Sequence, residues 1–182
     1  MQTICTKIPL SAEQPIIRDL FTEDAVFFDI ETTGFSPRST SLYLIGYAER
    51  NGDNALITQL LGDDPSEESA LLSAFSALLQ SKRKMISFNG SGFDLPYLRE
   101  KLLSYALPDP FSSLAELDIF REIRSFKKLL SLSDCKQKTV EAFLRIPRED
   151  TYSGGDLIPV YRHYAATRDE LPRTLLLRHN YE

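Results

Sequence analysis

The chain has little of what stabilises small extracellular folds: two cysteines, Cys5 and Cys135, in 182 residues. They form no close motif and cannot staple much of the chain, which fits a reducing compartment. Long apolar runs are missing too. No stretch approaches the eighteen or so residues of a membrane span, and the amino-terminal MQTICTKIPLSAEQPIIRDLF lacks the basic start and continuous apolar segment of a signal peptide. The expectation is a soluble cytoplasmic protein with no membrane partner. Positive charge is in the minority, with 21 Lys and Arg against 26 Asp and Glu and a formal net charge of −5. That balance argues against a protein that coats nucleic acid by charge alone. Low-complexity stretches and internal repeats are absent, so neither disorder nor a solenoid is suggested.

What remains is an ordinary core. With 42% hydrophobic residues, the chain is long enough to bury one sizeable domain. Residues 1–24 read as a lead-in segment and 25–182 as the domain. Alternating apolar residues predict strands over 25–33, 41–50 and 55–61, the last two joined by the Asn51-Gly52-Asp53 turn signal. A helix follows from Asp64-Pro65-Ser66 to about Ser81, with Leu71, Leu72, Phe75, Leu78 and Leu79 on one stripe. A short strand is expected over 84–88, then a helix over 94–105 broken by Pro108 and Pro110. "ELDIF" around Asp118 reads as a strand end flowing into a basic helix. The remainder reads as helices interrupted by the "EDTYSGGD" loop and by Pro159 and Pro172. A meander followed by alternating helix and strand predicts an α/β fold, a mixed sheet with helices on both faces.

The chemistry begins in "AVFFDIETTGF". Side chains alternate along a strand, so Phe27, Asp29 and Glu31 share one face. At about 3.3 Å rise per residue the Cα atoms of the two acids lie roughly 6.6 Å apart. Two like charges so placed repel and lose hydration, and protonation, a basic partner or a cation must offset that cost.

Two further stretches carry candidate residues. In "SFNGSGFDLPYL" a strand ends, glycines turn the chain, and Asp94 sits where a helix begins; taken alone it is a helix cap and Asn89 a turn former. In "LLLRHNYE" His179 lies near the apolar stripe of a helix that Pro172 opens, where a lone histidine is more often a packing residue. His163 reads as structural or surface, with Asp169 its only acidic neighbour. Between Arg121 and Lys138 six basic residues face two acidic ones, and Arg121, Arg124 and Lys128 follow helical spacing. That pattern describes a solvated face unless a phosphate-cleaving site lies beside it.

Taken together, "DIETTG", "NGSGFDLPYL" and the late "RHNYE" resemble the three motifs of the DnaQ-like, or DEDD, exonucleases of the ribonuclease H-like superfamily. "CKQKTVEAFLRIPREDTYSGG" between the last two is most similar to the bacterial YprB-like subgroup. The resemblance implies a five-stranded mixed sheet in the order 3-2-1-4-5 and a metal-dependent 3′→5′ exonuclease that acts on single-stranded DNA or RNA ends. It implies Asp29, Glu31 and Asp94 as ligands of two Mg²⁺ or Mn²⁺ ions, with Glu31 orienting the attacking water and His179 as general base. Thr32, Thr33, Gly34 and Asn89 would meet the terminal nucleotide, and Arg121, Arg124 and Lys128 the trailing phosphates. The family also places an Asp four or five residues after the histidine, a position just beyond Glu182. Three explanations stand: that Asp belongs to a longer chain, Glu182 substitutes for it, or the site is incomplete and the domain binds nucleic acid without cutting it.

Overall fold

The computed structural model describes residues 1–10 and 15–182, with nothing described for residues 11–14 of the expected lead-in. Among the described residues six strands form one sheet: β1 (Gln2–Pro9), β2 (Ala25–Thr32), β3 (Leu42–Asn51), β4 (Asn54–Leu61), β5 (Lys84–Ser87) and β6 (Ala115–Asp118), in the order β1-β4-β3-β2-β5-β6. The expected 3-2-1-4-5 arrangement is therefore present with one strand added. Gln2–Pro9, expected as lead-in, pairs antiparallel with β4 from Gln2 opposite Leu61 to Pro9 opposite Asn54. β2, β3 and β4 form the antiparallel meander, while β5 and β6 run parallel to β2.

Alternation along β2 sorts its side chains between two cores. Val26, Phe28 and Ile30 join Leu71, Leu72 and Phe75 of α2 (Glu68–Leu79) and Leu95 and Leu98 of α3 (Asp94–Ser104). On the opposite face Leu44 and Leu61 pack against Leu157, Tyr161 and Tyr164 of α6 (Gly154–Thr167) and Leu176 of α7 (Glu170–Tyr181). A bulge adjusts this second face. Glu31 pairs with Leu44 and Thr32 with Leu42, leaving Tyr43 as the extra residue, and its ring stacks on Tyr161 at 4.0 Å between centroids.

The remaining α-helices among the described residues are α1 (Pro15–Leu20), α4 (Ile119–Phe126) and α5 (Gln137–Phe143). Pro159 does not interrupt its helix as expected: α6 runs through it, held at its start by a Ser153–Asp156 capping box. Pro172 falls in the first turn of α7, where a missing N–H leaves no intrahelical bond unmade. Among the described residues no helix is long and apolar enough to cross a membrane. Cys5 and Cys135 are both free.

Candidate active site

At the carboxyl end of β2 a cleft of about 580 Å³ opens between the sheet and the helices of its second face. Phe27, Asp29, Glu31 and Thr32 of β2 form its floor; the start of α6 (Gly154, Gly155) and the end of α7 (His179, Asn180) form one wall. Phe35, Phe88 and Phe93 line the other side. The following turn depends on Gly34, whose φ of 154° disfavours a side chain and whose added Cβ would meet Thr40 Cγ2 at 2.8 Å. Thr32 and Thr40 both donate to the Gly34 carbonyl, at 2.8 and 3.1 Å.

Two consecutive residues in the last turn of α7 reach the two acids of β2. His179 Nε2 lies 3.7 Å from Glu31 Oε1, and Asn180 Nδ2 donates to Asp29 Oδ2 at 3.2 Å. The other ring nitrogen, His179 Nδ1, lies 2.7 Å from Asp150 Oδ2. Asp150 comes from the loop before α6, and sequence reasoning missed it. Asp150 is 7% exposed, and its carboxylate also contacts Lys138 Nζ at 3.2 Å and Arg148 at 3.4 Å. Arg148 pairs in turn with Glu141 at 3.1 Å. Glu182, weighed above as a substitute ligand, lines the cleft and accepts from the backbone N–H groups of Glu149 and Asp150 at 3.0 and 2.8 Å, which ties it to that loop.

The electrostatics show charge in excess of compensation. Burial, then the neighbouring Asp94 charge, push the Asp29 carboxyl up to about 8, against the Asn180 hydrogen bond and Arg148. Glu31 is driven well above the carboxylate range by burial and by Asp29, Asp94 and Asp150. Burial raises Asp94 to about 6, although Ile30 N–H donates to its Oδ1 at 3.2 Å beyond the last β2–β5 pair. For Asp150 the upward effect of burial is outweighed by the Tyr152 N–H, His179 and Lys138, which hold it low. Burial pushes His179 down, opposed by Asp150, so its neutral form is favoured.

The structure gathers some of the expected residues and separates others. Asp29, Glu31, His179, Thr32 and Gly34 line the cleft. Asp94 stands behind it, the first residue of α3 rather than its cap, tied to the β2 backbone. Thr33 Oγ1 accepts from Ser41 N–H at 2.9 Å and braces the turn instead of facing the cleft. Asn89 is exposed at φ 64° and does not line the cleft, consistent with its turn-forming role. Arg121, Arg124 and Lys128 are exposed and outside it; α4 ends at Phe126, so Lys128 falls in the next turn and the three share no single helix. Asp118 accepts from Asn89, Ser91 and Phe120 N–H groups and is a structural clamp. His163 pairs with Asp169 at 3.0 Å on the surface, as expected.

Oxygen donors that are buried and mutually repelling suit a hard divalent cation. Asp29 and Glu31, with Asp94 behind them, have that chemistry. Among the described residues, however, no group of three or more His, Cys, Asp or Glu side chains is arranged so that it could hold a metal ion.

Similarity to solved structures is broad and distant. The family B DNA polymerase of Pyrobaculum calidifontis superposes with a TM-score of 0.67 at 14% identity, covering 86% of this chain and 22% of the polymerase. E. coli exonuclease I in complex with a dT13 oligonucleotide gives 0.57 at 14% identity, covering 82% of this chain and 42% of that one. A product-bound exonuclease I gives 0.57 at 14% identity, with 84% and 46% covered. The chain thus spans less than half the length of these proteins, and the likeness is one of fold. No curated protein matches the sequence. A family model described as the RNase_H superfamily matches residues 26–182, from the second residue of β2 through the end of α7, and the chain belongs to that superfamily.

Proposed function

We propose that the chain is a divalent-metal-dependent nuclease that trims single-stranded DNA or RNA ends in the 3′→5′ direction. The observation that carries this reading is the convergence of two β2 acids and an Asp-held histidine on one cleft. Motif order and spacing favour the DnaQ-like branch and its YprB-like subgroup. The fold shared with exonuclease I supports the same reading.

Asp29 and Glu31, the two carboxylates on the cleft floor, would hold Mg²⁺ or Mn²⁺, with Asp94 the third acid that the motif pattern supplies; such an ion would neutralise the phosphate and acidify a water. The protein's own groups do the rest. With Nδ1–H donated to Asp150, His179 keeps its Nε2 lone pair toward Glu31 and the cleft, placed to take a proton from the attacking water. Asp150, held ionised, stabilises the imidazolium that results. The phenylalanines of the opposite side supply apolar faces for unpaired bases, which stack on any aromatic ring.

A catalytically silent nucleic-acid-binding domain is the second reading, favoured by the lack of a ready-made metal cluster among the described residues. One experiment separates the two: end-labelled single-stranded DNA and RNA oligonucleotides with Mn²⁺, comparing the protein with Asp29→Ala. Degradation that needs both metal and Asp29 supports the nuclease; binding without degradation supports the silent domain.

A further inference from the structure

Across the centre of the sheet, on the α6–α7 face, three residues stand in register: Asp29 on β2, Gly46 on β3 and Gln59 on β4. Asn180 lies over the glycine. A Cβ at Gly46 would sit 2.0 Å from Asn180 Oδ1, so only glycine lets the end of α7 approach this closely.

The carboxamide of Asn180 has its direction imposed. Gln59 is buried, and its Nε2 donates to the Leu177 carbonyl at 2.8 Å and to Asn180 Oδ1 at 3.0 Å. An amide nitrogen has two hydrogens, and both are committed. Toward Gln59 Asn180 must therefore present its oxygen, and its NH₂ turns to Asp29 Oδ2 at 3.2 Å. The chain Gln59, Asn180, Asp29 transmits a fixed hydrogen-bond polarity from one strand to another through α7.

We propose that Asn180, oriented by Gln59, is the positioning residue for Asp29: it engages one carboxylate oxygen and thereby fixes which lone pairs the acid offers to a cation in the cleft. This rests on the reading of Asp29 as a metal ligand. The same turn of α7 brings His179 to Glu31, so one helix end sets both acids of β2. Partners that orient a ligating carboxylate typically change metal affinity about 10–100-fold when removed.

The test is direct binding of Mn²⁺ alone, followed by electron paramagnetic resonance and calorimetry on the full chain, with steady-state kinetics on a single-stranded oligonucleotide alongside. Asn180→Leu, close in size but unable to donate, is expected to weaken Mn²⁺ binding at least about 10-fold. It should lower kcat at moderate Mn²⁺ with little change in the KM for oligonucleotide. Gln59→Met, which frees the Asn180 amide to rotate, should shift affinity the same way by less. Asp29→Asn is the control for the underlying assignment. If Asp29→Asn loses Mn²⁺ while Asn180→Leu binds like the parent, the positioning role is overturned and the ligand assignment survives. If the parent takes up no Mn²⁺, or Asp29→Asn binds it equally, the metal reading fails and this inference with it. Should Asn180→Leu not fold, unchanged Mn²⁺ affinity in folded Gln59→Met overturns the proposal.

Discussion

His179 Nδ1 and Asp150 Oδ2 lie 2.7 Å apart although they are 29 positions apart in the chain, and that contact decides which nitrogen of the imidazole faces the cleft. With Nδ1 carrying the proton, Nε2 is the free base beside Glu31.

The first prediction follows from that pair. On the proposed reading of His179 as the base, His179→Ala should lower kcat by about 10²–10⁴-fold, the range of general-base catalysis. Asp150→Asn should lower it less, because the ring stays packed. Burial lowers the His179 pKa and the Asp150 charge raises it. Removing that charge lowers the pKa further, and since the base must be neutral, the acid limb of the pH–rate profile should move to lower pH. A limb that stays put would separate Asp150 from the histidine's titration.

The crowded acids make stability fall with pH when metal is withheld. Asp29 rises from 3.8 to about 8 and Asp94 from 3.8 to about 6, and Glu31 moves the same way. A raised pKa means the folded chain holds protons the unfolded chain has released, so the stabilisation is complete below the unfolded value and is lost as pH climbs through the folded one. In EDTA, Tm should decline from about pH 4 to about pH 8, and Asp29→Asn should flatten the decline. Asp118 and Asp150, both held low, act in the opposite sense and only at acidic pH. A scanning-calorimetry series across that window gives the answer.

Much of this arrangement was legible in the sequence because it is periodic or local. Alternation in 25–33 placed Asp29 and Glu31 on the face opposite Phe28 and Ile30, and the sheet confirms it. β1 was harder: its residues alternate between half-buried and exposed with none buried, so an edge strand leaves little apolar contrast to read. Asp150 and Arg148 lie in a loop with no period, and only the packing of α7 against that loop brings them to His179. Asn180 stood next to a residue already singled out, but its partner Gln59 is 121 positions away, and no spacing rule links them. The basic stretch misled for the reverse reason. Its helical spacing presumed a helix that α4 does not sustain past Phe126.

A third prediction concerns the turn that carries Gly34. Glu68 and Lys101, 3% and 7% exposed, form a buried pair with Nζ 2.9 Å from Oε1. Glu68 accepts from Leu42 N–H at 2.6 Å and Lys101 donates to the Thr40 carbonyl at 2.5 Å, so the pair anchors the chain where the turn rejoins β3. Lys101→Met leaves Glu68 charged and buried without its cation, which costs about 3–5 kcal/mol. Urea unfolding should show the unfolding free energy fall by that amount, as a lower midpoint at unchanged slope.

Phe35 offers the opposite case, a large ring whose removal should leave the fold alone and damage only binding. It is 88% exposed at the mouth of the cleft and meets Phe93 edge-on, with centroids 5.9 Å apart and planes at 75°. So little burial predicts that Phe35→Ala changes stability by no more than about 0.5 kcal/mol. Stacking one base on such a ring is worth about 1–3 kcal/mol, so the Kd for a single-stranded oligonucleotide should rise about 5- to 150-fold, seen as KM with kcat unchanged at saturation. Because stacking tolerates any base, the loss should be similar for homopolymers of different sequence. A duplex end whose bases stay paired should show almost none of it, which ties the exposed ring to the unpaired strand.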